Sequence, residues 1–382
     1  MPELLGNLDA VKRGMADEGL DALVAISPEN VPYTAGVIVT TQRSLRDRLA
    51  IVVMPSEGDP TFLVAGQEVG YVTGRTWIED VRSYLALDGP VDGPPVQNAS
   101  PIQALVDVLK EKGLTAGRVG IEINYLTVPF HRELVEALPE LDLVPCEGLL
   151  ERARMIKTPA ELELMTRAAV ATERALMATY MTIQPGDRER GIVGHLAGNL
   201  LQAGADMPGG LFLRVGPNTG YAHPLAEDYV AQPGDLATSD VGASFSGYVS
   251  DVARTAVIGR ATDHQRSIYD RLVEVHRRTI EAMTPGIPAS QVFHTAVREY
   301  ERVKIPFPMA FAGHGIGLHV HEKPLLSAHE NTPLRPGMVF AVETRVRWPE
   351  KEGYHIEDFV VITEEGPELV TNVMDTSRLM EI

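Results

Sequence analysis

The chain of 382 residues carries 34 lysines and arginines against 52 aspartates and glutamates, a formal net charge of −18. That balance excludes nucleic acid and anionic membrane as main partners, because binding phosphate depends on positive charge. Hydrophobic residues make up 44% and charged residues 23%, an ordinary globular composition. No apolar run approaches the roughly 20 residues that cross a bilayer.

The N-terminal stretch MPELLGNLDAVKRGMADEGL reads as an amphipathic, charge-dotted helix without the apolar block of a signal peptide. A single cysteine, Cys146, excludes an intramolecular disulfide framework and fits a reducing compartment, so a cytoplasmic protein is expected. Apolar strands follow at Ala22–Ile26, Leu49–Met54 and Thr61–Val64, and the Gly/Pro-rich stretch around Asp88–Pro95 reads as a loop. A helix of apolar period 3.6 fits Ile102–Leu109, with a strand at Arg118–Glu122. Alternating strands and helices predict an α/β domain over residues 1–150, with no catalytic constellation in it.

The boundary to a second domain, 151–382, is signalled between Cys146 and Thr158. Thr158-Pro159-Ala160-Glu161 is a helix start: a capping Thr, a Pro in the first turn and a Glu three positions after the cap. The helix runs to Met181 and stops at Pro185-Gly186.

From here the chain repeats itself. Helices break at Pro185-Gly186 and again at Pro285-Gly286, and acid-bearing, β-branched segments open at Pro233-Gly234 and Pro336-Gly337. Asp240 follows Gly234 at the distance at which Glu343 follows Gly337. Each acid is followed by a turn-rich stretch and a second acid, Asp251 or Glu357. Two copies of helix, helix and acid-bearing hairpin predict a pseudo-twofold domain whose four carboxylates meet between the hairpins. Acids in strand contexts are costly unless paired or bound to a cation, and four together repel unless cations compensate.

The segment Gly313-His314-Gly315-Ile316-Gly317-Leu318-His319-Val320-His321-Glu322 adds imidazoles beside glycines that allow close approach. Four carboxylates and one His suit two divalent ions, of Mn, Co, Fe or Zn character more than Mg or Ca alone. Other motifs fall short. The glycines lack the helix of a dinucleotide fingerprint, and His321-Glu322 lacks the second His of a zincin. His319-Val320-His321 is not embedded in eight strand–helix units, and no Gly-x-Ser-x-Gly is present. The remaining histidines, such as His131, His264 and His276, are expected at the surface.

These motifs resemble the pita-bread metallohydrolases, which include Xaa-Pro dipeptidase, aminopeptidase P, methionine aminopeptidase and creatinase. The resemblance covers nearly the whole chain. It is carried by Asp240-Val241-Gly242 with Gly247-Tyr248-Val249-Ser250-Asp251, by GHGIGLHVHE, by GMVFAVE ending at Glu343, and by HIEDFVVITEEG around Glu357. It implies an α/β N-terminal domain of creatinase/prolidase type and an α+β pita-bread catalytic domain. The implied ligands are Asp240, Asp251, His314, Glu343 and Glu357, with Asp251 and Glu357 bridging two ions, Mn foremost.

By the same resemblance His223 and His321 are catalytic histidines and Glu343 shuttles the proton of the attacking water. The substrate is a small peptide or small molecule, and a homodimer is implied. Two departures stand out: Thr344-Arg345 follows Glu343 where many relatives have Pro-Gly, and His355 replaces an Arg two residues before the second metal Glu. Arg345 and His355 are therefore candidate substrate contacts, as is Arg48, which follows VPYTAG in a segment similar to one that reaches a neighbouring subunit's site. The leading expectation is hydrolysis of a C–N bond by an enzyme like Xaa-Pro dipeptidase. Creatinase- or ectoine-hydrolase-like action on a small carboxylate is the alternative, and a non-catalytic binding module a more remote one.

Overall fold

A computed structural model describes residues 5–45, 48–84 and 100–382. The loop expected around Asp88–Pro95 lies outside the described residues. Two compact units, Met1–Arg154 and Met155–Ile382, divide the chain.

In the first unit, six described strands form one mixed sheet: β1 (Ala22–Ala25), β2 (Ile51–Pro55), β3 (Thr61–Val64), β4 (Asp80–Ser83), β5 (Arg118–Ile121) and β6 (Asp142–Pro145), in the order β4-β3-β2-β1-β5-β6. β1 pairs antiparallel with β2 and parallel with β5. Central strands buried on both faces read as continuous apolar runs, as in ALVA and IVVMP. Helices α1 (Leu8–Glu18), α2 (Asn30–Ala35), α3 (Gly66–Val72), α4 (Pro101–Glu111), α5 (Val128–Ala137) and α6 (Glu147–Met155) accompany the sheet. The α1 start is capped by Asn7, whose side chain accepts from Ala10 N at 3.0 Å, and the helix buries Val11 and Met15 one turn apart. Ile102, Leu105, Val106 and Leu109 of α4 pack with Val24, Ile51, Val53 and Val119 in the core of this unit.

In the second unit, α7 (Pro159–Tyr180) opens with the expected cap: Glu161 N donates to Thr158 Oγ1 and Thr158 N donates to Glu161 Oε2. Then come α8 (Glu189–Gln202), β7 (Met207–Val215), β8 (Leu236–Phe245), β9 (Tyr248–Val249) and β10 (Thr255–Val257). The second half supplies α9 (Asp263–Glu281), α10 (Ala289–Arg302), β11 (Phe311–Gly315), β12 (Glu322–Ser327), β13 (Val339–Trp348), β14 (Glu352–Thr363), β15 (Gly366–Leu369) and β16 (Met380–Glu381). One sheet runs β16-β10-β8-β7 with β9 on β8, the other β12-β11-β13-β14-β15.

The repeat is visible in matched hydrogen bonds. Gly186 N donates to Ala231 O and Gly286 N to Leu334 O, while Gly234 N donates to Ile258 O and Gly337 N to Ile362 O. All four glycines adopt φ between 87 and 100°, which side-chain-bearing residues rarely reach. The Pro-Gly pairs therefore mark equivalent turns that aim β8 and β13 alike.

The two sheets meet at Ala253 and Glu357, which exchange backbone hydrogen bonds of 3.3 and 3.0 Å. A buried charge network holds this seam. Arg254 Nη1 donates to Glu357 O, and its Nη2 reaches Glu173 Oε1 at 2.6 Å and Asp358 Oδ1 at 2.7 Å. Asp358 also accepts from Thr371 Oγ1 and contacts His276 Nε2 at 2.9 Å. His276 is thus buried behind the seam, not at the surface as expected from the sequence, because its imidazole partners Asp358 and Thr344. His264 is exposed as expected.

Candidate metal centre

The pseudo-twofold turns bring the acids together. Asp240 lies in β8 opposite Phe212 of β7, and Glu343 in β13 stands opposite Glu357 in β14. Asp251 falls in an irregular stretch between β9 and β10, where the sequence suggested a strand; Val252 on its C-terminal side bonds to Val241 in both directions. The pairing register runs unbroken from β9 to β10, which sets Asp251 opposite Gly242 and two positions from Ala253, the residue opposite Asp240, so the two acids share a face.

His314 comes from β11, the neighbour of β13, and its Nε2 lies 3.8 Å from both Asp251 Oδ2 and Glu357 Oε1. The loop after it is shaped by Glu322, whose carboxylate accepts from Leu318 N and His319 N and pairs with buried Lys157 at 3.2 Å. A Cβ on Gly317 would stand 2.7 Å from that carboxylate, so a larger residue there would displace Glu322 from its amide bonds.

Two sets of donor atoms converge within 4.8 Å: Asp251, His314 and Glu357, and Asp240, His355 and Glu357. Burial, and then the neighbouring carboxylate charges, push Asp251 and Glu357 well above the usual carboxylate range. Burial opposes ionisation of Asp240 too, but its contact with His223 and the charge of nearby Arg214 and Arg347 keep it low. Burial, reinforced by His321, lowers His314 to about 4, leaving a neutral imidazole ready to coordinate. Glu357 Oε2 is buried without a hydrogen-bond partner among the described residues. A set of buried, mutually repelling carboxylates, one orphaned oxygen and one neutral imidazole fits divalent cations.

His355 faces inward and is completely buried. Its Nε2 lies 3.4 Å from Glu343 Oε2, and its Nδ1 lies 3.6 Å from Asp240 Oδ2 and 3.3 Å from Arg347 Nη2. A guanidinium only donates, so Nδ1 is the acceptor and Nε2 carries the proton toward the acids. Burial drives this imidazole to its neutral form.

His223 and His321 flank the centre. His223 Nε2 is 3.6 Å from Asp240 Oδ2, its side chain is 55% exposed, and its ring packs on Phe212. The ring of His321 lies 4.3 Å from that of His314. Arg345 pairs with Glu343, two residues away on the same face of β13. Arg48 belongs to the first unit, where its guanidinium donates to Gln67 Oε1 at 3.0 Å.

Two arginines escaped the sequence reading. Arg347 Nη2 lies 3.9 Å from Asp240 Oδ2. Burial, together with the charge of Arg345 and Arg214, lowers its pKa to about 10. Continuing the alternation from Glu343 through Arg345 would have found it. Arg214 of β7 is fully buried, and its Nη1 donates to Tyr221 O and Ala222 O just before His223. No signal marked Arg214, because β7 opens on Pro208-Gly209-Gly210, which reads as a loop.

The site is that of a metal-dependent hydrolase. The sequence model of the metallopeptidase family M24 matches residues 163–364, and that of the creatinase/prolidase N-terminal domain matches residues 7–156. The chain belongs to metallopeptidase family M24 and is a metal-dependent, dipeptidase-like hydrolase of the pita-bread fold, whose chemistry calls for divalent metal ions. It is 26% identical over 371 residues to the uncharacterized peptidase YqhT of Bacillus subtilis, covering 96% of this chain and 97% of that one. It is 33% identical over 229 residues to the Xaa-Pro dipeptidase of Pyrococcus furiosus, covering 59% of this chain and 65% of that one. The crystal structure of dipeptidase PepE from Mycobacterium ulcerans superposes with a TM-score of 0.82 at 26% identity, over 98% of this chain and 96% of that one. Among the described residues no helix is long and apolar enough to cross a membrane.

Proposed function

We propose that the chain holds two divalent ions, Mn foremost, through Asp240, Asp251, His314, Glu343 and Glu357, and cleaves the C–N bond of Xaa-Pro dipeptides or close analogues. The observation that carries this is the convergence of both repeats: His314 Nε2 stands 3.8 Å from one acid of each half, Asp251 and Glu357. Relatives bearing the name Xaa-Pro dipeptidase support the substrate class. A cytoplasmic homodimer is part of the proposal.

When bound, the ions supply Lewis acidity and a water acidified to near-neutral pKa. The protein's own groups do the rest. Glu343 takes the proton of the attacking water and passes it toward the leaving nitrogen. His223, exposed at the mouth, and His321, against His314, stabilise charge that develops on the carbonyl oxygen and the leaving nitrogen. Arg345 binds the substrate carboxylate, a two-point grip that Lys reproduces poorly. Arg48 is proposed to act on a neighbouring subunit's substrate. His355, assigned to the substrate from its sequence position, is better placed to orient Glu343 and Glu357, because its ring is buried against them.

Hydrolysis of a small non-peptide carboxylate is the second reading, favoured by the guanidinium of Arg345 beside Glu343. A binding module is disfavoured by the two converging donor groups, Asp251, His314 and Glu357 and Asp240, His355 and Glu357, although Glu343 lies outside both and pairs with Arg345. The test is a panel on Mn-reconstituted protein: Xaa-Pro dipeptides, longer Xaa-Pro peptides, and N-acyl or amidino acids, with wild type, Arg48→Lys and Arg345→Lys. Turnover of dipeptides, with a raised KM in Arg345→Lys at full metal content, is expected. Efficient cleavage of long peptides, indifferent to both substitutions, would overturn the small-acid site in favour of an aminopeptidase.

A further inference from the structure

We propose that Arg214, Arg345 and Arg347 form an anion subsite beside the metal centre that selects substrates carrying two carboxylates. The inference rests on the metallohydrolase reading above. Glu343, Arg345 and Arg347 alternate along β13 and share one face with their register partners Glu357, His355 and Gly353 on β14. Along this face the charge changes from negative to positive within two residue pairs.

The ion pairs of Arg345 and Arg347 are with Glu343 and Asp240. Two divalent cations carry four positive charges, which Asp240, Asp251, Glu343 and Glu357 together neutralise. Arg345 and Arg347 then keep no ion-pair partner among the described residues. His355 supplies no counter-charge, since it accepts from Arg347 as a neutral ring. Guanidinium groups mostly removed from water, with side chains 20% and 12% exposed, are costly without a counter-charge, so the metal-bearing site favours an anion.

Arg214 points to the same conclusion independently. It is 1% exposed, and its Nε and Nη2, like Nε of Arg347, have no hydrogen-bond partner among the described residues. Its Nη1 is committed to the carbonyls ahead of His223, which couples the subsite to the loop carrying that histidine. The nearby acid Glu189 offsets the Arg214 charge while its carboxylate is held by Val215 N, Glu227 N and Asn218 Nδ2. Two guanidinium charges remain. The carboxylate of a simple dipeptide answers one, and a second carboxylate, on a side chain or an acyl group, answers the other. The substrate class is a small dianionic amide, an acidic dipeptide or a dicarboxylic N-acyl amino acid.

The test compares succinate with succinamate, in which a carboxamide replaces one carboxylate at nearly the same shape. Calorimetry on the Mn-loaded full chain should show succinate binding at least about tenfold tighter. In Arg347→Gln and Arg345→Gln at equal metal content, that preference should fall to about twofold or less. Equal binding of the two probes to wild type would overturn the subsite. So would a preference that survives both substitutions, because the second carboxylate would then sit on the metal. For a variant that fails to load, kcat/KM of wild type for Asp-Pro against Asn-Pro decides: a preference for Asp-Pro supports the subsite, and none overturns it. Discrimination between the probes by a wild type that binds no metal would leave the anion subsite standing and remove the metallohydrolase reading, so the two fail separately.

Discussion

Glu343 and Glu357 stand directly opposite each other on the β13–β14 hairpin, 3% and 2% exposed. Like charges opposite on paired strands are destabilising even in water, and burial magnifies the repulsion. Arg345 relieves part of this repulsion by pairing with Glu343, and the proposed cations would relieve the rest, which would link the stability of the second unit to metal.

Metal should therefore stabilise the fold. A chelator-treated sample should unfold at lower temperature than one with Mn. Each site saturated at about 100 times its Kd contributes about 2.7 kcal/mol. Scanning calorimetry checks this, and an unchanged Tm would count against cation binding by the folded state.

His223 and His321 touch the site without belonging to the proposed ligand set. His223→Ala and His321→Ala should retain metal and lose about 2–4 kcal/mol of transition-state stabilisation, as oxyanion donors do. Turnover measured beside metal content checks the assignment. Metal loss in both, or unchanged turnover in both, removes it.

Arg254 ties Glu173, Asp358 and the Glu357 carbonyl at the seam. Arg254→Met should destabilise the protein by about 3–5 kcal/mol, because two buried carboxylates lose their cation. Urea unfolding provides the readout, and a loss below about 1 kcal/mol would place the seam's stability in apolar packing.

In the first unit, the hydrogen bonds from Arg82 hold Asp80 below the usual carboxylate range, against the opposing effect of burial, with Thr61 adding a further bond. A depressed folded pKa stabilises above the unfolded value of about 4 and is lost as pH falls through the folded value. Both side chains are about one-third exposed, so the contribution stays under about 1 kcal/mol. Urea midpoints of wild type and Asp80→Asn should differ at pH 6 and converge toward pH 3, values chosen to bracket about 4. A gap independent of pH would contradict the ion pair.

Elements with strong local chemistry were legible in the sequence. The Thr158–Glu161 capping box, the apolar central strands and the four Pro-Gly turns declare themselves through caps, period and φ. The acids at 240, 343 and 357 stood out because strands rarely carry them. What was hidden depends on distant partners. Arg254 and His276 look like surface charges until Glu173, Asp358 and Thr344 are folded against them. β7 carries Pro208-Gly209-Gly210 near its start, and a Cβ on Gly209 would press on the Gly242 backbone at 3.0 Å. Such a close approach lies in the pairing of two strands and leaves no local pattern.

The most direct test of the dinuclear centre is elemental analysis of wild type and Asp251→Ala after loading with Mn or Co and removal of free metal. Two ions per chain are predicted for wild type, since the five proposed donors exceed what one ion needs. Asp251→Ala should lose metal and activity together. One ion or none in wild type, or full metal and full rate in folded Asp251→Ala, would contradict the account.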